Sequence, residues 1–288
     1  MKLKNNLVFL LFLLWLSGCY ENKEGCLDVR ATNFELHADV PCPNCCTYPS
    51  LKLKASHQHH IGDTVYSVLL LDSFYLDKND QAFRVKSIRY FLSDFKLISH
   101  TGAVVSIDDK IDIEVLNSSG NRELMNFVDD FILINASSAP TITLGTFPHP
   151  DTYSGIRFKM GLDPLLDSAN PNSFPTNHAL SNTGDEMYDF VNGHYLSTKI
   201  EIFKDTIPQD TIPRLLTSYA SISGGEVNLL FPEPVVLPEG FHLTITLGVD
   251  CISWFETSDV RLDTDQALME QILAKAPHSF SIVKVAVN

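Results

Sequence analysis

The sequence lacks the short motifs by which many enzymes are recognised. It contains no G-x-S-x-G elbow, no P-loop, no H-E-x-x-H pair and no G-x-G-x-x-G fingerprint. Acidic residues gather near Asp108 and near Asp129, and we interpret both groups as solvated turns, not as a catalytic carboxylate pair. The sequence therefore predicts a protein that is not an enzyme.

Positive charge is also scarce. The chain has 21 Lys and Arg against 35 Asp and Glu, which gives a formal net charge of −14. Such a surface repels phosphate backbones, so nucleic acid is excluded as an expected partner. The hydrophobic fraction of 44 % is sufficient for a substantial buried core.

Long hydrophobic runs are absent after the N-terminus. The one marked run, Leu7 to Leu16, is shorter than the roughly 20 apolar residues of a membrane-spanning helix. Lys2 and Lys4 precede this run, and a basic start followed by a short apolar stretch is typical of a secretory signal peptide. We therefore predict a signal peptide over residues 1–18.

The end of this run, "LSGC", resembles the lipobox of bacterial lipoprotein precursors. The resemblance implies cleavage before Cys19 and attachment of lipid to that cysteine, which would tether the protein to a membrane. Tyr20 and the acidic stretch after it resemble lipoproteins of the outer membrane. The expected location is therefore the cell envelope, as an outer-membrane lipoprotein facing the periplasm or the cell surface.

Four cysteines crowd into a short segment after Cys19, namely Cys26, Cys42, Cys45 and Cys46. An exported protein meets an oxidising compartment, so disulfides are expected among them. Four cysteines allow three connectivities. Pairing of the adjacent Cys45 and Cys46 would form a strained ring, which favours one bond from each of them to Cys26 and Cys42. We predict that residues 19–50 are a lipidated, cysteine-rich tether.

From Leu51 onward the sequence alternates between apolar and polar residues. In "FHLTITLGV", Phe241, Leu243, Ile245, Leu247 and Val249 share one face, as in a half-buried strand. In "SIRYFLSDFKLIS" the apolar parity shifts near Ser93–Asp94, which predicts a β-bulge. The other strand candidates are Tyr66–Leu71, Ile111–Val115, Phe131–Asn135, Thr141–Leu144, Gly155–Met160, Tyr195–Phe203, Val227–Phe231 and Ser279–Val287.

One helix is predicted, in "DQALMEQILAKA", with Thr264 as its N-cap and Pro277 as its stop. Many short strands and a single helix favour an all-β fold. We therefore predict that residues 51–288 form an antiparallel β-sandwich with one C-terminal helix and a long loop between Leu162 and Asn192, preceded by the small cysteine-rich segment.

Three segments of this domain resemble a known family in their order and spacing. "IRYFLSDFKLISHTGAVV", "YSGIRFKMGLD" and "NHALSNTGDEMYDFVNGHYLSTKIEIF" are similar to the methanobactin-associated copper-binding proteins, the MbnP-like domain. The resemblance covers nearly all of the chain after Leu51. It implies a sandwich of the periplasm or outer membrane that binds copper. In some relatives it also implies a di-haem partner enzyme that oxidises a tryptophan beside the metal to kynurenine.

Two departures from the family pattern bear on that chemistry. Asp189 follows Met187 and Tyr188 where the family places tryptophan, and no histidine occurs in "LLTSYASISGG". The only tryptophan after the predicted signal peptide is Trp254, far along the chain. Action of a di-haem partner on this chain is therefore not expected.

The stretch "ASHQHHIGD" carries three histidines at the start of the domain. On a strand, His57 and His59 point to one face and His60 to the other. Imidazole and thioether groups suit copper, and the predicted ligands are His57, His59, His178 and Met187. The alternative interpretation is a surface binding or adhesion module whose long loop contacts another protein or a ligand and whose metal site has degenerated.

Overall fold

The structure is a computed structural model that describes residues 21–117, 119–181, 187–204, 212–220 and 225–288. The predicted signal peptide and Cys19 lie outside the described residues. The strands are β1 Glu24–Gly25, β2 Val40–Pro41, β3 Ser50–Ile61, β4 Thr64–Ser67, β5 Tyr75–Leu76, β6 Ala82–Ser99, β7 Val104–Ser106, β8 Lys110–Leu116, β9 Arg122–Val128, β10 Ile132–Asn135, β11 Thr141–Thr146, β12 Asp151–Met160, β13 Tyr188–Asp189, β14 His194–Phe203, β15 Arg214–Tyr219, β16 Gly225–Leu237, β17 Leu243–Asp250 and β18 Phe280–Val287.

Helical structure in the described residues is limited to one α-helix and four short 3₁₀ helices. The α-helix, α1, spans Asp265–Lys275, and the 3₁₀ helices are Pro164–Ser168, Pro171–Ser173, Ser253–Phe255 and Ala276–Ser279. The side chain of Thr264 accepts a hydrogen bond from the backbone N–H of Ala267, and Pro277 lies just past the helix end. Both predicted helix boundaries are confirmed.

Two large sheets face each other. One contains β13, β14, β6, β12 and β16 in that order, with β5, β7 and β10 also on β6 and β15 on β14. The other contains β11, β3, β17 and β18, with β4 on β3. The predicted all-β sandwich with one helix is confirmed. One pairing departs from the expected antiparallel pattern, because β3 and β17 run parallel.

The interior between the sheets is built from the inward faces of their strands. Phe158, on β12, is fully buried; it stacks on Phe95 and meets the edge of Phe280. Burial of such large aromatic side chains is the main favourable term for a sandwich of this kind. A second apolar cluster lies on the other face of the larger sheet, around Phe91, Leu166 and Tyr195.

The predicted bulge in β6 is confirmed. The register between β6 and β12 shifts between Ser93 and Lys96, and Asp94 has a φ of +56°. Tyr90 and Leu92 before the shift, and Phe95 after it, are therefore all buried. Without the extra residue, the second half of the strand would turn its apolar side chains to the wrong face.

The segment after β3 differs from its prediction. The structure has a strand only over Thr64–Ser67, not over Tyr66–Leu71. Leu71 has a φ of +67°, and its N–H donates to the carbonyl of Val85, so the chain turns there instead of continuing a ladder. Alternation in the sequence does not reveal such a local turn.

The cysteine-rich segment forms a small module at the start of β3. Disulfides join Cys26 to Cys46 and Cys42 to Cys45, with Cα atoms 5.1 and 5.7 Å apart. The structure thus selects one of the two favoured pairings. The module packs on the sandwich beside Gly240, whose φ is +78° and whose added Cβ would lie 3.0 Å from a carbonyl oxygen of the module. In the described part of the chain, none of the helices has the length and apolar character needed to traverse a bilayer.

Candidate functional site

β3 carries the histidines toward one end of the sandwich. Its alternate residues Leu51, Leu53 and Ala55 are buried in the interior, and His57 continues this face with only 7 % of its surface exposed. His59 shares the parity of His57, whereas His60 is exposed on the other face. The strand geometry predicted for the three histidines is therefore confirmed.

His57 is held by a hydrogen bond to a buried phenol. Its Nε2 atom lies 3.0 Å from the hydroxyl of Tyr90 on β6. Burial lowers the pKa of His57 to about 4 and raises the pKa of Tyr90 well above its usual value. Both groups are therefore neutral at neutral pH, which is the protonation state in which imidazole can bind a metal.

Other aromatic and sulfur groups surround this pair. Trp254 meets Tyr90 edge-on with ring centroids 5.7 Å apart, and its Nε1–H donates to Ser279. Cys251 is a buried free thiol whose pKa is raised by burial. Cys251 belongs to the same buried apolar cluster as Tyr90 and Trp254. The sequence did not reveal these neighbours of His57, because they lie on distant segments of the chain. The one indication was that Tyr90 alternates with the apolar residues Ile88 and Leu92, which places it on the buried face of its strand.

His59 and His60 have separate partners. The ring of His59 packs edge-on against Tyr75, with centroids 5.4 Å apart. His60 Nδ1 lies 2.6 Å from a carboxylate oxygen of Asp250 on the neighbouring strand β17. His60 is thus engaged in a surface pair and faces away from His57 and His59.

His178 lies in the long loop, and it is fixed on both ring nitrogens. Its Nδ1 accepts the backbone N–H of Leu180 at 3.1 Å, and its Nε2 lies 2.8 Å from Asp129 Oδ1. The ring also stacks on Phe174, with centroids 4.8 Å apart. Because Nδ1 is an acceptor, the ring proton is on Nε2, which donates to Asp129.

Asp108 is exposed and Asp129 is partly exposed, as predicted, but each also has an imidazole partner. Asp129 pairs with His178, and Asp108 lies 2.7 Å from His149 Nε2. Each acid therefore has a specific imidazole partner that is distant in sequence. The sequence did not reveal these partners, because only folding brings them together.

An open cleft of about 390 Å³ borders the loop. It is lined by Phe91, Asp129, Phe131, Ile132, Leu133, Ile142, Thr143, Leu144, Asn177, His178, Ala179, Ser181, Met187, Tyr188, Phe190 and Tyr195. Met187 is buried in its wall, directly before β13, and its carbonyl accepts the N–H of Leu196. His178 and Met187 thus line the same cleft, as a shared role in metal binding would require.

The four predicted ligands do not form one site. His57 contacts Tyr90, which points into the interior between the sheets, whereas the next residue, Phe91, points to the opposite face and lines the cleft with His178 and Met187. Adjacent residues of a strand face opposite sides, so β6 separates the two pairs. In the residues that the structure describes, no group of three or more His, Cys, Asp and Glu side chains is placed to hold a metal.

Comparisons with known proteins identify a family for most of the chain. The family model for MbnP matches residues 50–271, which is more than half of the chain. The solved structure of MbnP from Methylosinus trichosporium is 12 % identical in sequence and has a TM-score of 0.40. That match covers 72 % of this chain and 78 % of the other. No curated protein sequence matches significantly.

Proposed function

Since this chain belongs to the MbnP family, we propose that it is a lipid-anchored, non-enzymatic protein of the cell envelope that binds copper. The observation that best supports this proposal is the pair His57 and His59. Their imidazoles share one face of β3, and burial keeps His57 neutral. Neutral imidazoles are good ligands for copper.

The residues present fit a site with two imidazole ligands. Tyr90 orients the ring of His57 through its hydrogen bond, and Tyr75 packs against the ring of His59. Groups that orient a ligand in this way support metal affinity in many proteins. Copper bound there would supply redox chemistry or simply be stored. The residues themselves would hold and shield the ion.

The proposed anchor is the lipid on Cys19. The disulfide-bonded module lies beside Ser50 at the start of β3, and His57 is seven residues further along the strand. At about 3.3 Å per residue the histidines lie roughly 25 Å from that end. A lipid at the N-terminus would therefore leave the histidine pair on the side away from the membrane. Replacing Cys19 by serine is expected to release the protein from the membrane fraction.

A copper(I) titration tests the metal site. In the processed protein Trp254 is the only tryptophan, and it touches Tyr90, which in turn contacts His57. We expect the processed wild-type protein to bind about one equivalent of copper(I) and to lose Trp254 fluorescence as it does so. The double variant His57→Gln with His59→Gln should lose both responses.

The matched control removes the other predicted pair. His178→Gln with Met187→Leu should bind copper as the wild type does, because these residues lie on the opposite side of β6. Loss of copper binding only in this control would move the site to the cleft. A folded wild type that takes up no copper would refute the metal-binding proposal.

A surface binding module is the second candidate function. It is favoured by Phe190, which lines the cleft and is 60 % exposed, and by the next residue, Val191, which is 92 % exposed. Apolar side chains this exposed beside a cleft are typical of a binding surface. Absence of copper uptake by correctly folded protein would favour this candidate.

A further inference from the structure

The cleft beside the long loop is large enough for a small molecule. Its volume of about 390 Å³ lies within the usual range for ligand pockets. Its described lining includes none of His57, His59 and Tyr90, so it is separate from the proposed copper site.

Among the described residues that line the cleft, Asp129 is the only one with a formal charge at neutral pH. None of these described residues is a lysine or an arginine. His178 does not cancel the charge of Asp129, because its Nδ1 accepts the N–H of Leu180 and its ring is therefore neutral. The hydrogen bond from Nε2 orients the carboxylate but leaves it negative. The described lining of the cleft thus carries one negative charge, and no lysine or arginine of that lining offsets it.

The wall next to this carboxylate is aromatic. Tyr188 meets both Phe190 and Tyr195 edge-on, each with ring centroids 4.9 Å apart, and Phe131 packs against the edge of His178. The faces of aromatic rings are electronegative and attract cations. A net charge of −14 over the whole chain acts in the same direction.

We propose that this cleft binds a small organic cation, with a flat apolar body packed on the aromatic wall and one ammonium group paired with Asp129. An anion would meet the carboxylate without a counter-charge. A neutral ligand would gain only the apolar contact. The proposal is independent of the copper function and involves different residues.

Three ligands of similar shape test the charge requirement. Isothermal titration of the processed protein at pH 7 would compare 2-phenylethylamine, 2-phenylethanol and phenylacetate. We expect the amine to bind about fivefold more tightly than the alcohol, which is the upper range for a partly exposed ion pair. Phenylacetate should bind most weakly.

Asp129→Asn should remove the preference for the amine and leave the affinity for the alcohol unchanged. The amide oxygen of the variant can still accept the hydrogen bond from His178, so the cleft keeps its shape. Asp108→Asn is the matched control, since Asp108 has the same type of histidine contact outside the cleft. It should leave the preference intact. Phe190→Ala should weaken the binding of the amine and of the alcohol to the same extent. Phe190 is sufficiently exposed for the fold to tolerate this change.

Binding of the amine no tighter than the alcohol in the wild type, or no binding of either, would overturn the proposal. The proposal would also be overturned if the Asp108 and Asp129 variants lost the preference for the amine to the same extent. Much tighter binding of the dipeptide Ac-Phe-Lys-NH₂ would assign the cleft to a basic side chain of a protein and refute a small-molecule ligand. The variant His57→Gln with His59→Gln should bind the amine normally, so a failed copper proposal would not affect this result.

Discussion

The carboxylate of Asp130 provides a sharp test of how the β6 bulge is held. Asp130 is 3 % exposed and accepts two backbone hydrogen bonds across the bulge, from Phe95 N at 2.6 Å and Asp94 N at 3.2 Å. Burial nevertheless raises its pKa from 3.8 to about 6, and the two hydrogen bonds only partly offset that effect. The folded state therefore binds a proton at Asp130 more tightly than the unfolded state does.

The sign of the effect on stability follows from this difference. The contribution of a raised carboxyl pKa is fully present below the unfolded value and is lost as pH rises through the folded value. A pKa raised from 3.8 to about 6 corresponds to about 3 kcal/mol over the full range. About 2 kcal/mol of this lies between pH 4.5 and pH 7.5.

Urea unfolding at pH 4.5 and pH 7.5 would measure the effect against Asp130→Asn, which cannot titrate. On acidification from pH 7.5 to pH 4.5, the free energy of unfolding of the wild type should rise by about 2 kcal/mol more than that of the variant. Other titrating groups contribute equally to both proteins, so their effects cancel in this difference. Asp109→Asn is the control, because Asp109 also accepts a backbone N–H but is only half-buried. An Asp130 variant with the same pH dependence as the wild type would refute the assignment of the proton to this residue.

Two further predictions concern stability. Phe158→Ala should lower the free energy of unfolding, measured in urea, by about 3–5 kcal/mol, because it leaves a cavity between Phe95 and Phe280. The control Leu230→Ala, at an exposed position, should change this free energy by less than about 0.5 kcal/mol. Thr264→Ala should cost about 1 kcal/mol through loss of the N-cap of α1, and rescue by Thr264→Ser would distinguish the cap from other effects.

Much of the fold could be predicted because its signals are local. Strand alternation repeats every two residues, and a shift in that alternation marks a bulge, as it does near Ser93 and Asp94. The N-cap residue Thr264, the helix α1 and Pro277 after it likewise lie within one short segment. The strand predicted over Tyr66–Leu71 was partly wrong because a single left-handed residue, Leu71, turns the chain there.

The candidate site was less predictable because its members come from distant segments. The sequence placed His57 and His59 on one face, but it did not reveal their neighbours Tyr75, Tyr90 and Trp254. Asp129 was interpreted as a turn acid because its partner His178 lies 49 residues away. Contacts of this kind depend on the order of strands in the sheets, which alternation does not specify.

The sequence by itself determined the predominance of β-structure, the bulge and the capped helix. It also determined that His57 and His59 share one face of a strand. These features follow from the side-chain period of a strand and from local capping chemistry. The tertiary structure alone decided that β3 pairs in parallel with β17, that Cys26 joins Cys46, and that His57 and His178 lie on opposite sides of β6. The reason is that a sheet separates its two faces, so the strand order decides which distant residues share a face.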